Sequence, residues 1–531
     1  MTQVAATAAA AAAISRVVPE LVERGVAGAI MAQDPTLWGE AAAEESAKRL
    51  GWVEAPHVTL PLLEEIEQLR DSLREAGVTR IALAGMGGSS LAPEVIAATY
   101  GVPLTVLDST EPGQVLDALR QDLAATAIVV SSKSGSTVET DSQRRVFDQW
   151  FREAGIDPAE RIIVVTDPGS PLDIQARADG LRVFNADPNV GGRFSALTAF
   201  GIVPAGLAGV DVRELIDEAI AVLPSLTEDA VENPGLQLGA VLAGTLPLRD
   251  KIGIVSDGTH IVGLGDWAEQ LIAESTGKEG KGLLPIALGT DAHEVSAELH
   301  DVQIIRLVGS PRDLDEVREG EVEVVGSLGG QFMTWSFAVA VAGHILGINP
   351  FDQPDVESAK SAARELLDQL GDEQMDAAPA DALLLSPRGF DAGEDLRSAL
   401  DALFAAIPEN GYLAIHAYLN RNEAADYAQL RDAVAARTAR PATFGWGPRF
   451  LHSTGQYHKG GVPSGVFLQI VDRPAEDLEI PGRPFTFGQL IAAQAQGDAT
   501  VLANQGRPVL TISVGDAAAA LATIHAAIEK R

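Results

Sequence analysis

Short apolar runs alternate with helix-spaced segments along most of the chain. "TRIALAG", "PLTVLDS", "ATAIVVSS", "RIIVVTD" and "LRVFNA" are runs of aliphatic and β-branched residues, and polar-to-apolar segments of helical period separate them. Such strands, apolar on both faces and joined through helices, predict a parallel sheet covered on both sides. The pattern restarts near Lys251. "KIGIVSDG" and "VQIIRLVG" are strands, "GDWAEQLIAEST" is a helix, and "GQFMTWSFAVAVAGHILGI" is a long apolar helix. Three further strands are predicted at "YLAIHAYL", "VFLQIVD" and "VLTISVG". The first sixty residues have helical character, with Trp38 and Trp52 as packing anchors. Residues 371–393, rich in Asp, Ala, Pro and Gly, have the composition of an irregular insertion. These patterns divide the chain into an N-terminal helical segment (1–60), a first α/β unit (61–235) and a second (236–531). The two halves look like repeats of one architecture, although no fixed-period sequence repeat joins them.

Size agrees with more than one core, because 531 residues exceed what a single core usually holds. Hydrophobic residues make up 46%, enough for extensive burial. The early "AATAAAAAAI" has no basic flank and predicts a helix start, not a leader. No apolar run approaches the roughly 18 residues of a membrane span. The absence of cysteine excludes disulfides and thiolate metal sites, and fits a cytoplasmic protein. The net charge of −35 disfavours nucleic acid and anionic membranes as partners. Any anion must therefore be held by a locally built site of cations, helix N-termini and backbone N–H groups.

Two loops have that character. "GMGGSS" follows a strand and opens a helix, and Gly85, Gly87 and Gly88 permit close backbone approach beside Ser89 and Ser90. It lacks the third glycine of a dinucleotide fingerprint, and an ordinary tight turn could have this sequence. "VVSSKSGSTVET" is placed alike, with its strand ending at Val130 and its helix beginning near Val138. Ser132, Ser134, Ser136 and Thr137 could surround a phosphate there, or could form an N-cap completed by a capping-box Glu139. Lys133 could face the anion or offset an acidic surface. Ligands of open α/β sheets bind beyond the carboxyl ends of strands, so two such loops at neighbouring strand ends favour an anion site.

Four more segments carry chemistry. "NVGGRFSALTAFG" sets Arg193 between a glycine turn and an apolar helix, where its permanent charge could steady an oxyanion. "WAEQLIAESTGKEGKG" puts Gln270 and Glu274 on one helix face, with Glu274 at the helix end as a candidate general base and Lys278 just beyond. "GINPFDQPDVESAK" has an Asn-Pro turn, Gln353, and a helix start bearing Glu357 and Lys360. "HSTGQYHKGG" gathers His452, Gln456, His458 and Lys459, in a chain with only nine histidines. No His or acidic spacing makes a convincing metal site.

In this order, "AGMGGSSLAP", "SSKSGSTVET", "VGGRFSALTAFG", "QLIAESTGK" and "INPFDQPDVESAK" resemble the glucose-6-phosphate isomerase family, over roughly residues 80–360. The resemblance implies two SIS-type doubly wound parallel-sheet subdomains with helices on both faces. It also implies a homodimer in the cytoplasm that interconverts glucose 6-phosphate and fructose 6-phosphate, in glycolysis and gluconeogenesis, with no cofactor and no metal. Gly88 and Ser89 would then line the sugar-phosphate site. Ser132, Lys133, Ser134, Ser136 and Thr137 would surround the phosphate, and Gln270 and Gln353 would contact substrate. Arg193 would stabilise a cis-enediolate and Glu274 would shuttle the proton between C1 and C2. Lys360 would contact the sugar and assist ring opening. The family places a histidine in a "GQH" setting between the Glu and "NPFDQ" segments. Here only His293 and His300 stand in that interval, without that context. The later "GQYHKGG" resembles the isomerase portion of transaldolase–isomerase fusions, which makes His458 the expected ring-opening residue and His452 the second choice. The rival readings are an isomerase of another hexose phosphate, such as mannose 6-phosphate, and a non-catalytic SIS-type sugar-phosphate sensor. A sensor needs the serine loops but not Glu274, Arg193 and Lys360 together.

Overall fold

A computed structural model of the chain describes residues 2–297, 299–355, 361–367 and 383–529. The alternating pattern becomes parallel sheets flanked by helices. The first sheet runs Thr105–Leu107, Arg80–Gly85, Thr126–Ser131, Ile162–Thr166, Arg182–Asn185, all parallel. Its central strands are buried throughout, which is why they are apolar at every position rather than at alternate ones.

The second sheet runs Leu284–Leu288, Lys251–Asp257, Val302–Val308, Val322–Val325, and these four strands are parallel. The N-terminal strand Gln3–Ala6 adds to its edge antiparallel, so the helical start of the chain comes one strand later, at Ala8–Glu23. The long apolar helix Leu328–Leu346 is buried from Leu328 to Gly343 and packs against Pro234–Ala243 and Val212–Thr227. No helix among the described residues is long and apolar enough to cross a membrane.

The three C-terminal strands do not extend the second sheet, which corrects the expectation of a single α/β unit after residue 236. Together with Ala442–Trp446, which was not among the expected strands, they build a third sheet ordered Ala442–Trp446, Tyr412–Tyr418, Gly465–Asp472, Val509–Val514. Its edge strand Leu383–Arg388 pairs antiparallel with Val509–Val514. The expected irregular insertion at 371–393 therefore contains a strand, and its first part, 371–382, lies outside the described residues. All three sheets share one winding. In each, the first strand of the parallel set lies between the second and the third, with the fourth beyond the third. The repeat is one of topology, and a topological repeat leaves no periodic trace in a sequence.

Each winding creates a switch point where the connections from two adjacent strands leave in opposite directions, and ligands bind at such crevices. At the switch point of the second sheet, Asp257, which ends strand Lys251–Asp257, is bonded to the buried Arg306, which also bonds Glu321. In the first sheet the switch point is open, between the loops after Gly85 and Ser131. The third unit packs beside it. Ile480, Phe487 and Leu490 join the core around Val130 and Phe147, and Tyr412, Tyr457 and Phe467 join that around Leu284 and Ile286.

Candidate functional site

The two loops at the first sheet's switch point form one wall of a cleft of about 1010 Å³. Gly87 has a left-handed φ of +55°, and a Cβ there would lie 2.6 Å from Gln270 Nε2 and 2.7 Å from the His452 carbonyl. At Gly88 a Cβ would meet the Gly192 carbonyl at 1.9 Å. These glycines thus let neighbouring segments of the chain close in, and Ser89 is carried to the cleft beside them. In the serine loop, Ser134 and Ser136 hydroxyls lie 3.0 Å apart and Ser132 Oγ donates to Thr137 Oγ1 at 3.2 Å. Thr137 is the N-cap of helix Val138–Glu153 but makes no side-chain capping bond. Val138, the first residue of this 16-residue helix, lines the cleft, so the positive end of the helix dipole lies at its wall. Lys133 lines the same wall and is paired with Asp167 at 2.6 Å. Its charge is thus shared between the cleft and a carboxylate, and burial lowers its pKa.

Arg193 and Glu274 face each other across the next wall. Arg193 is 2% exposed and commits all five N–H donors. Nε donates to Ser275 Oγ (2.8 Å), Nη1 to Gln353 Oε1 (2.5 Å) and Glu274 Oε2 (3.4 Å), and Nη2 to the carbonyls of Pro350 and Asp352 (2.7 and 2.9 Å). A guanidinium so held is a fixed charge. Aromatic rings support it from behind: Trp52 stacks on Phe194, Phe194 meets Phe351, and Phe351 meets Trp38 edge-on. This bears out Trp38 and Trp52 as anchors and ties them to the site. Lys278 secures the same loop, with Nζ 2.6 Å from Asp352 Oδ1 and 2.8 Å from the Asn349 carbonyl. Burial, aided by Arg193's charge, brings its pKa down to about 8, so it keeps most of its charge at neutral pH. Gln270 donates to the His452 carbonyl at 2.9 Å, while its Oε1 is buried without a partner among the described residues. Lys360 and Glu357 lie outside the described residues.

The histidines depart from expectation. His458 does not line the cleft. It is 1% exposed, its Nδ1 lies 2.8 Å from Tyr412 Oη, and it packs on Phe467, where burial drives its pKa well below the usual imidazole value. His452, six residues earlier, does line it. His452 Nε2 is 2.9 Å from Glu139 Oε1, and the same oxygen accepts from Gln494 Nε2 at 2.8 Å. Gln494 Oε1 accepts in turn from Thr110 Oγ1 at 2.6 Å. Glu139 is therefore not a capping-box residue, but the buried partner of an imidazole. His293 and His300 are not among the lining residues.

Three lining residues had no signal in the sequence. Gln494 sits in the middle of helix Phe487–Asn504, in the third unit. Arg49 and Arg483 reach the cleft from the N-terminal segment and the third unit, paired with Glu45 and Asp141 at 2.7 Å each. With Lys133, Arg193 and Arg364 these two arginines give the cleft five basic side chains, matched in number by the lining acids Glu45, Glu139, Asp167, Glu274 and Asp352.

No family model matches the chain. A probable glucose-6-phosphate isomerase of Natronomonas pharaonis is 29% identical over 373 residues, which is 60% of this chain and 86% of that protein. A glucose-6-phosphate isomerase of Thermus thermophilus is 37% identical over 178 residues, 32% of this chain and 42% of that one. Among solved structures, a hypothetical protein from Thermus thermophilus matches with a TM-score of 0.58 at 25% identity. That match covers 69% of this chain and 100% of the other.

Proposed function

We infer that this chain, a homologue of the glucose-6-phosphate isomerases, is an aldose–ketose isomerase that interconverts glucose 6-phosphate and fructose 6-phosphate. The observation that carries the reading is the pairing of an anion-binding wall with a proton-transfer wall in one cleft. A serine loop on a helix N-terminus faces a carboxylate, Glu274, held 3.4 Å from the fixed cation Arg193. A sugar-phosphate sensor needs the first wall and has no use for the second.

The reaction needs a ring opener, a base for the C1/C2 proton and a positive charge for the enediolate oxygen. His452, oriented by Glu139, is the proposed ring opener in place of His458. Glu274 is the proposed base and Arg193 the charge. Ser132, Ser134, Ser136, Thr137 and the helix N-terminus hold the phosphate. Gly88, Ser89, Gln270 and Gln353 meet the sugar, and Lys360 keeps the role that the resemblance implies. A homodimer in the cytoplasm, serving glycolysis and gluconeogenesis, belongs to the same reading. A partner subunit is not required to supply the histidine, because His452 and Glu139 belong to one chain.

The direct test is to incubate the protein with fructose 6-phosphate in D₂O. Glucose 6-phosphate should form with deuterium at C2. Tight binding without turnover would sink the reading in favour of a sensor, and faster turnover of mannose 6-phosphate would reassign the substrate. The phosphate grip has its own signature. Ser134→Ala or Ser136→Ala should raise KM by about one to two orders of magnitude, the worth of a hydrogen bond to a charged group, with kcat kept at saturation. Loss of kcat at saturating substrate would show that the loop takes part in the chemistry.

A further inference from the structure

Behind the cleft the third unit contains a buried ion pair. Lys459 Nζ lies 2.6 Å from Asp498 Oδ1, with side-chain exposures of 1% and 0%. The other oxygen of Asp498 is 3.3 Å from His416 Nδ1, in an imidazole that burial keeps on the neutral side. Lys459 comes from the short helix Gly455–Gly460, Asp498 from helix Phe487–Asn504, and His416 from strand Tyr412–Tyr418. None of the three lines the cleft. Such a pair is a poor source of stability, because desolvating both charges offsets most of their attraction, and apolar replacements often serve stability as well. What it supplies is geometry.

Its neighbours indicate which geometry. The His416 ring stacks on Phe450 with centroids 3.7 Å apart and 22° between planes. Phe450 stands two residues before His452 in the turn Arg449–His452. Lys459 stands at the far end of the same segment. Asp498 thus holds the Lys459 end of residues 449–460 directly, while its other oxygen packs at 3.3 Å, without a hydrogen bond, against the imidazole on which Phe450, at the other end, stacks. Between them lie His452 and Gln456, and Gln456 Nε2 donates to the Gly277 carbonyl (2.8 Å) and Asp355 Oδ2 (2.7 Å). One turn before Asp498 on the same helix face, Gln494 holds Glu139. A single helix therefore places both the histidine's segment and the histidine's carboxylate.

We propose that Lys459, Asp498 and His416 form a positioning device that sets His452 against Glu139, and thereby governs ring opening without touching substrate. The proposal rests on the reading of His452 as the ring opener. It separates from a merely structural role by substrate. A hexose phosphate must be opened, whereas a tetrose 4-phosphate has no ring to open, because its terminal oxygen is esterified.

Asp498→Asn strands a buried ammonium, and should lower the melting temperature and reduce kcat on glucose 6-phosphate by about 10- to 100-fold, the scale of an ångström-level misplacement. KM should hold, since the serine loop is untouched. The double variant Lys459→Met/Asp498→Leu removes both charges and should melt close to the parent, yet keep the reduced kcat. Turnover of erythrose 4-phosphate should stay near parental in both. The proposal is overturned if the double variant regains parental kcat on glucose 6-phosphate, or if both substrates lose rate equally. Should the double variant fail to fold, the same two-substrate comparison on Asp498→Asn, below its melting temperature, decides between these outcomes. If His452→Asn itself leaves hexose turnover intact, the reading beneath the proposal is what fails.

Discussion

Glu274→Gln is expected to lower kcat by about 10²–10⁴, the usual worth of a general base, while leaving KM nearly unchanged. The substitution is close to isosteric. Glu274 is 6% exposed in the last turn of helix Leu264–Thr276, and its oxygen accepts from Arg193 Nη1. Glutamine keeps an acceptor there, so the contact survives in neutral form and the fold should hold. What is lost is a group able to take a proton from C2 and return it to C1. The loss should be the same for glucose 6-phosphate and for an acyclic aldose phosphate, because the base acts after the ring is open. Deuterium incorporation at C2 should fall in step with kcat. A folded Glu274→Gln protein with nearly full turnover would remove Glu274 from the mechanism.

Legibility in the sequence followed how local each feature is. Buried parallel strands are apolar along their whole length, so those of the first sheet could be read within a residue or two, whereas Leu284–Leu288, Val322–Val325 and Ala442–Trp446 were not read as strands. Thr126–Ser131 runs one residue past the expected end at Val130. Strand partnership is another matter. The third sheet was not separable from the second because its strands look the same, and its edge strand Leu383–Arg388 lies in a stretch whose composition resembles a loop. The serine loop and Glu274 stood out in the sequence because each sits at the end of its own strand or helix, and Arg193 because it follows a glycine turn. Glu139 was misread for the opposite reason. Its place after Thr137 suits a helix cap, whereas its real partner is His452, 313 residues away. His452 ends the turn Arg449–His452 and His458 lies within the short helix Gly455–Gly460 that follows, and their residue types alone give no ground for choosing between them. Packing separates them, since one side chain turns toward Tyr412 and Phe467 and the other lines the cleft.

That choice between histidines leads to the second large effect. His452→Asn should reduce kcat on glucose 6-phosphate by about 10²–10⁴, the range of acid–base catalysis by one side chain. With Nε2 bonded to the Glu139 carboxylate, the imidazole is fixed in orientation, and its other nitrogen is the proposed carrier of the proton between O1 and O5. Asparagine can keep a hydrogen bond to Glu139 but cannot carry that proton at neutral pH. The effect should be confined to substrates with a closed ring, so erythrose 4-phosphate turnover should be largely spared, unlike in Glu274→Gln. Glu139→Gln should produce a smaller loss with the same substrate pattern, because it weakens the hold on the imidazole's orientation without removing the imidazole. His458→Gln supplies the contrast. It retains a polar partner for Tyr412 Oη and lies outside the cleft, so its expected cost falls on thermal stability, with kcat of the folded protein close to the parent's. If the pattern came out reversed, with His458→Gln abolishing turnover and His452→Asn neutral, ring opening would have to be assigned to a different arrangement of residues 449–460.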